Sequence, residues 1–147
     1  MFGWLRLIRV PNLATAIADP LAGFLIVGGY YRLENLPLGG WLAITASLCS
    51  YAGGIVQNDV VDLQIDQKER PQRPLPSERV SFKLARFVSV ILLLFGLVLA
   101  CVASMLVQDR TPAVIGVTLT AAICCYNCFA KGTCLGPLLM GVCRALN

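Results

Sequence analysis

Asn58, Asp59, Asp62 and Asp66 stand together in the stretch NDVVDLQID (58–66) of an otherwise apolar chain. On a helix, residues three and four apart share a face. Asp59, Asp62 and Asp66 are spaced by three and four, and Asn58, Asp62 and Asp66 by four and four. All four side chains can therefore line one side of a helix over about two turns. Three carboxylates so close repel one another unless a cation intervenes. Mg²⁺ takes oxygen ligands and is commonly held by one or two carboxylates together with substrate phosphates. Lys68, Arg70 and Arg73 follow directly, and their side chains suit phosphate oxygens. An acidic face followed by a basic turn suits an Mg²⁺-diphosphate whose organic part lies in lipid. The plainer alternative is a solvated loop whose positive charges fix membrane topology.

The elements that must position these residues are membrane helices. Of 147 residues, 57% are hydrophobic and 14% charged, against about 25% charged in a soluble domain. Uncharged runs cover 36–56, 87–107 and 112–130. A hydrocarbon core about 30 Å thick takes roughly 20 residues of helix, so each run can cross it. Residues 13–31 make a further span broken only by Asp19, and 135–147 begin a fifth. The expected fold is all-α, a multi-pass transmembrane helical bundle with the first four to five helices present. Its spans fall at about 13–31, 36–57, 87–107, 112–130 and 135–147, and a motif loop occupies 58–83. The runs lack the alternation of a transmembrane β-barrel. A secretory signal peptide is the rival reading of the first segment, since Arg6 and Arg9 precede it. That stretch is long, however, contains ADP in its middle and leads into further spans.

Lysine and arginine bias sets orientation. With the N-terminus inside, Arg6, Arg9, Lys68, Arg70, Arg73, Arg79, Lys83, Arg86 and Lys131 are cytoplasmic, whereas Arg32 and Arg110 are outside. The N-terminus and the aspartate motif are thus expected in the cytoplasm, in an integral protein of a bacterial inner membrane. Seven cysteines and no histidine are present. CYNC (125–128) has a redox or zinc half-site spacing, but no second pair offers the remaining ligands. Small packing residues are the simpler reading. Pro71, Pro74 and Pro76 exclude a continuous helix and favour an extended turn. Residues 58–69 lack proline and glycine and can prolong the second span.

The NDVVDLQID stretch resembles the NDxxDxxxD signature of the UbiA superfamily of intramembrane prenyltransferases, and RPQRPLPS resembles the tail that follows it. LIRVPNLATAIADPLAG (7–23) is similar to the start of that family's first helix. YNCFAK (126–131) is similar to its YxxxxK element, and LGPLLMGVCRALN (135–147) to its fifth helix. ADPLAG, ERPQRPLPS and MGVCRALN resemble the EboC-like branch most. The resemblance implies a bundle of about nine helices around a lipid-open cavity. Two aspartate motifs, on the second and sixth helices, would hold Mg²⁺ against a polyprenyl diphosphate. Its ionisation leaves an allylic cation that alkylates a lipophilic acceptor.

By this resemblance Asp59, Asp62 and Asp66 are catalytic and, with Asn58, coordinate Mg²⁺ through the diphosphate. Lys68, Arg70 and Arg73 would contact diphosphate or close the loop over it. Tyr126 and Lys131 match the tyrosine-lysine element, with Lys131 on phosphate. Arg9 and Asn12 would line the acceptor or diphosphate side. The expected partners are a polyprenyl diphosphate, a lipophilic acceptor and the bilayer, with no nucleic acid. The sequence departs from the pattern in two places. Glu78 stands where the pattern carries glycine, and the second aspartate motif lies beyond the fifth helix. A C-terminal half is therefore expected to complete the site.

Asp19 is an intramembrane acid that could face the cavity, pair with Arg144, or mark a kink with Pro20. Arg144 and Asn147 share a face on the fifth helix, for acceptor contact or helix–helix bonding. The glycine pairs 28–29, 39–40 and 53–54 read as close packing or flexible ends. Trp4, Trp41, Tyr30 and Tyr31 read as interfacial anchors. Two alternatives to the enzyme remain: a non-catalytic isoprenoid-lipid binding or transport protein of the same family, and an unrelated small transporter or scaffold.

Overall fold

The computed structural model describes residues 2–28 and 36–147. Gly29, Tyr30, Tyr31 and Arg32 therefore lie outside the described residues. All regular elements among those described are helical: α1 (Phe2–Leu7), α2 (Val10–Gly28), α3 (Leu38–Val61), α4 (Leu63–Glu69), α5 (Phe82–Val107), α6 (Thr111–Cys125) and α7 (Gly136–Leu146). A π-helical turn, Tyr126–Ala130, prolongs α6. The all-α membrane bundle expected from the sequence is present. Leu38–Val61, Phe82–Val107 and Thr111–Ala130 are long and apolar enough to cross a bilayer, and Val10–Ile26 and Gly136–Leu146 are shorter apolar helices.

The centre of the bundle is α3, which packs against α2 and α6 and most extensively against α5. Small residues allow this. Ala46, Ser50 and Gly53 recur at helical spacing on α3 and are all buried. A Cβ on Gly96 of α5 would lie 2.7 Å from Ser50 Oγ and 3.0 Å from the Ala46 carbonyl. The backbones therefore cross almost in contact, as small-residue helix interfaces in membranes do. Gly116 of α6 meets Ala100 of α5 in the same way, a Cβ there falling 2.6 Å from the Ala100 Cβ. The opposite side of α5, with Phe87, Leu94, Phe95 and Val98, is apolar and exposed.

Pro20 lies inside α2. It has no N–H, so the carbonyl four residues earlier loses its helical partner. That carbonyl is Ala16, and it accepts instead from Ser47 Oγ of α3 at 2.7 Å. Ser47 Oγ is also 2.7 Å from the side-chain amide of Asn147. That partner atom is Asn147 Oδ1, an acceptor, so the single hydroxyl hydrogen of Ser47 is shared between it and the Ala16 carbonyl. The polar group freed by proline thereby ties α2, α3 and the end of α7 together.

The segment after α4 is not extended, as its prolines suggested, but a compact series of turns. The Ser77 N–H donates to the Arg73 carbonyl at 3.0 Å, and the Val80 N–H to the Pro74 carbonyl at 3.2 Å. Leu75 and Val80 are buried with Leu7, Val56 and Ala85, and Trp4 packs on this cluster rather than standing free. Burial of these two apolar side chains pulls the loop onto the bundle, which local proline geometry does not reveal. Within it Glu78 has φ 55, the left-handed conformation that favours glycine. The glycine of the resembled pattern has its reason here.

Between α5 and α6, Gln108 adopts φ 56 and Asp109 caps α6. Its Oδ1 accepts from the Thr111 N–H at 3.0 Å and from Thr111 Oγ1 at 2.9 Å. These bonds hold the Asp109 carboxyl below the usual carboxylate range.

Candidate functional site

The acidic face forms at the end of α3 and runs into α4. The chain continues helically through residues 58–69 except at Asp62, where α3 ends and α4 begins. The Asp62 N–H still donates to the Asn58 carbonyl at 3.0 Å and the Asp66 N–H to the Asp62 carbonyl at 2.8 Å. The helical register therefore carries across the break at Asp62.

Three cations reach this face from three separate segments. Arg9 Nη2 donates to Asp59 Oδ1 at 3.0 Å. Arg73 Nη1 lies 2.6 Å from Asp66 Oδ2 and 3.6 Å from Asp59 Oδ1. Lys131 Nζ donates to Asn58 Oδ1 at 2.7 Å and pairs with Asp62 Oδ2. The four motif residues thus divide into two pairs. Asp59 and Asp66, one turn either side of Asp62, are bridged by Arg73 and are only 5% and 4% exposed. Asn58 and Asp62 are half-buried, share Lys131, and are joined by an Asn58 Nδ2 bond to Asp62 Oδ2 at 3.3 Å.

Each cation is aimed by a local backbone feature. Arg9 sits in the break between α1 and α2 at φ 54, a conformation costly for a side-chain-bearing residue. The break turns its guanidinium across to α3. Arg73 is fixed by the buried loop turns, with Ser77 Oγ bonding its carbonyl at 2.7 Å. Lys131 depends on the π-turn. Five residues along an α-helix would place Tyr126 and Lys131 about 140° apart, but the Lys131 N–H closes an i→i+5 bond to the Tyr126 carbonyl at 3.1 Å. Both residues consequently line the same cavity. Such π-bulges are frequent at functional sites.

The turn is held by a residue the sequence reading overlooked. Asn127, 4% exposed, donates from Nδ2 to the Gly54 carbonyl at 3.2 Å and to Gln57 Oε1 at 3.0 Å. Gln57 Nε2 in turn lies 3.8 Å from Cys124 Sγ. A lone asparagine in the apolar run ICCYNCFA was the available signal.

A cavity of about 670 Å³ opens beneath the motif, lined by Asn58, Asp62, Asp66, Arg9, Arg70, Arg73, Tyr126 and Lys131 and by residues of α2, α3, α6 and α7. Asp59 stands behind this lining, covered by Arg9 and Arg73. Lys68 is exposed and, like Asn12, is not part of the cavity wall. Asn12 acts locally, its N–H donating to the Arg9 carbonyl at 2.8 Å and its carbonyl accepting from Thr15 Oγ1 at 2.7 Å. Asp19 and Arg144 both line the cavity but form no ion pair with each other among the described residues. Gly53 meets Leu93 of α5, and Gly54 meets Ile123 and lines the cavity. The seven cysteines are free thiols.

Among the described residues no three acidic, cysteine or histidine side chains converge closely enough to hold an ion unaided. The donor set nevertheless fits Mg²⁺. Its groups are hard oxygens presented in pairs, and Mg²⁺ characteristically accepts one or two carboxylates and completes its shell from phosphate and water.

Comparison with known proteins decides the family. The UbiA prenyltransferase family matches residues 20–146. The chain belongs to the UbiA prenyltransferase family. Among its relatives, digeranylgeranylglyceryl phosphate synthase of Sulfolobus acidocaldarius is 36% identical over 99 residues, which cover 66% of this chain and 34% of that protein. The enzyme of the same name from Methanocaldococcus jannaschii is 37% identical over 97 residues, 66% of this chain and 33% of that protein. A solved structure concerning digeranylgeranylglyceryl phosphate synthase in membranes superposes with a TM-score of 0.84 at 30% identity, covering 98% of this chain and 49% of that one. The chain thus spans about a third of the length of these UbiA relatives in sequence and about half of the solved chain.

Proposed function

We propose that this chain builds the first half of an intramembrane prenyltransferase, which transfers a prenyl group from a polyprenyl diphosphate to a lipophilic acceptor with Mg²⁺. The observation that carries this reading is the convergence of Arg9, Arg73 and Lys131 on the acidic face above a membrane cavity. With the charged mouth on the cytoplasmic side, as the lysine and arginine bias favours, the diphosphate enters from water and its chain lies along α2, α3 and α6.

Charge balance suggests how the mouth works. Asp59, Asp62 and Asp66 are offset by Arg9, Arg73 and Lys131, so neither an anion nor a cation alone meets a strong field. A diphosphate draws the three cations from their carboxylates and leaves those carboxylates unpaired. Mg²⁺ held through Asn58, Asp59, Asp62 and Asp66 would restore neutrality there and stabilise charge developing on the departing diphosphate. Lys131 and Arg73 turn from Asp62 and Asp66 to phosphate oxygens, while Arg70 supplies a further cation at the rim. Tyr126 borders the prenyl end. The names of the relatives point to a glycerol lipid as one class of acceptor.

The test uses the protein from its complete reading frame in lipid nanodiscs. Binding of a prenyl thiodiphosphate should require Mg²⁺ and be abolished by EDTA. Asp62→Asn and Lys131→Met should each weaken it at least tenfold, and prenyl transfer from the natural diphosphate should fall in parallel. Unchanged Mg²⁺-dependent binding in Asp62→Asn would overturn the assignment. Intact binding with no transfer to any lipid-extract acceptor would favour a lipid-binding role.

A further inference from the structure

The cavity continues past the charged mouth, and its inner part carries polar groups that the diphosphate does not use. Met140, Cys143 and Arg144 of α7 and Asn147 just past its end all line it, at the spacing of a single helix face. Their depth can be read from Ser47, which touches both the Ala16 carbonyl and Asn147 at 2.7 Å. Ser47 lies about 16 Å along α3 from Asn58 at 1.5 Å per residue. Arg144 is one turn nearer the mouth, hence about 12 Å from the level of Asn58. Tyr51 of α3 lines the cavity at this same level. Between the two zones the wall carries Ile55 and Ile123 and no charged side chain, with Asn127 occupied by the Gly54 carbonyl and Gln57.

Arg144 forms no ion pair among the described residues. An arginine at hydrocarbon depth is costly and normally finds a partner or faces a water-filled or ligand-filled space. Here it faces the cavity. Asp19, the other charge on this part of the wall, lies deeper by about two turns, or roughly 9 Å.

We propose that Arg144, flanked by Asn147 and Tyr51, is a second anion subsite, distinct from the Mg²⁺-diphosphate mouth, and that it takes an oxyanion on the acceptor. This rests on the prenyl-transfer reading. The planar guanidinium matches a carboxylate or a phosphate in two-pronged fashion. An acid anchored there presents the rest of its body towards the mouth, where the prenyl group is released. Asp19 repels an anion that travels deeper, so the oxyanion stops at Arg144. The separation of about 12 Å keeps the two anion sites from sharing a diphosphate.

The experiment uses the complete protein and three soluble probes: 4-phenylbutyrate, phenyl phosphate and neutral 4-phenylbutanol. Calorimetry should show the acids binding at least tenfold more tightly than the alcohol. The tighter acid identifies the head group as carboxylate or phosphate. Arg144→Gln should reduce acid binding at least tenfold and Arg144→Lys by less, with Mg²⁺-dependent binding of inorganic diphosphate unchanged in both. Acid binding that survives Arg144→Gln, or that inorganic diphosphate displaces, would overturn the subsite. If Arg144→Gln does not fold, the same decision falls to Arg144→Lys and the diphosphate competition. Absence of Mg²⁺-dependent diphosphate binding in the wild type would refute the transferase reading instead, while Arg144-dependent acid binding would still establish the subsite.

Discussion

Replacing Ser47 by alanine removes the one side chain that, among the described residues, bonds the Ala16 carbonyl left open by Pro20. A buried acceptor without a partner costs about 1–3 kcal/mol, and the hydrocarbon core has no water to substitute. Loss of the Asn147 contact adds about 0.6 kcal/mol, the mean for polar contacts between membrane helices. Ser47→Ala should therefore destabilise by roughly 1.6–3.6 kcal/mol. The second substitution makes the argument specific. Pro20→Ala restores an N–H that can bond the Ala16 carbonyl within α2. In that background Ser47→Ala should cost only the Asn147 part, about 0.6 kcal/mol. The cycle would be read from reversible unfolding of the four proteins in mixed dodecyl maltoside and sodium dodecyl sulfate micelles, followed by circular dichroism. A coupling of about 1–3 kcal/mol is expected, well beyond the roughly 0.3–0.5 kcal/mol seen for independent sites. If Ser47→Ala costs the same with and without Pro20, the carbonyl is not what Ser47 serves, and the reasoning fails.

Glu78→Gly relieves a left-handed residue, worth about 1–2 kcal/mol, against about 0.5–1 kcal/mol of added backbone entropy. The same unfolding assay should show a modest net gain, and a loss would contradict the strain. Gly116→Ala forces a methyl against Ala100 and should destabilise by about 1–3 kcal/mol, with Ala100→Gly in the same chain recovering most of it. The lowered Asp109 carboxyl contributes stability above its unfolded value of about 3.9 and loses it as pH falls through the folded value. Asp109→Ala should accordingly lower stability near neutrality and flatten the acid limb of the stability–pH profile.

The helical bundle and the position of the acidic face were legible because both rest on local pattern: uncharged runs for the spans, three- and four-residue spacing for the motif. The division of that face into Asp59 with Asp66 and Asn58 with Asp62 was not. Which cation reaches which carboxylate depends on Arg9 adopting a left-handed backbone and on Leu75 and Val80 burying themselves beside Leu7, and both are tertiary facts. Treating YNCFAK as ordinary helix likewise conceals why Tyr126 and Lys131 face the same way. The π-turn comes from Asn127 gripping α3 across the bundle, and a single amide among apolar residues gives no hint of its partner. Ser47 escaped notice for the same reason, since its role exists only because Pro20 sits on another helix.

The pairing of Arg9 with Asp59 spans 50 residues of chain. At synthesis rates of about 5–20 residues per second, the arginine waits roughly 3–10 s before its carboxylate has even been made. Throughout that interval α2 meets the membrane with Arg6 and Arg9 uncompensated, which is when positive charge acts on orientation. The same guanidinium thus stands unpaired for seconds of synthesis before it becomes one wall of the ionic lattice.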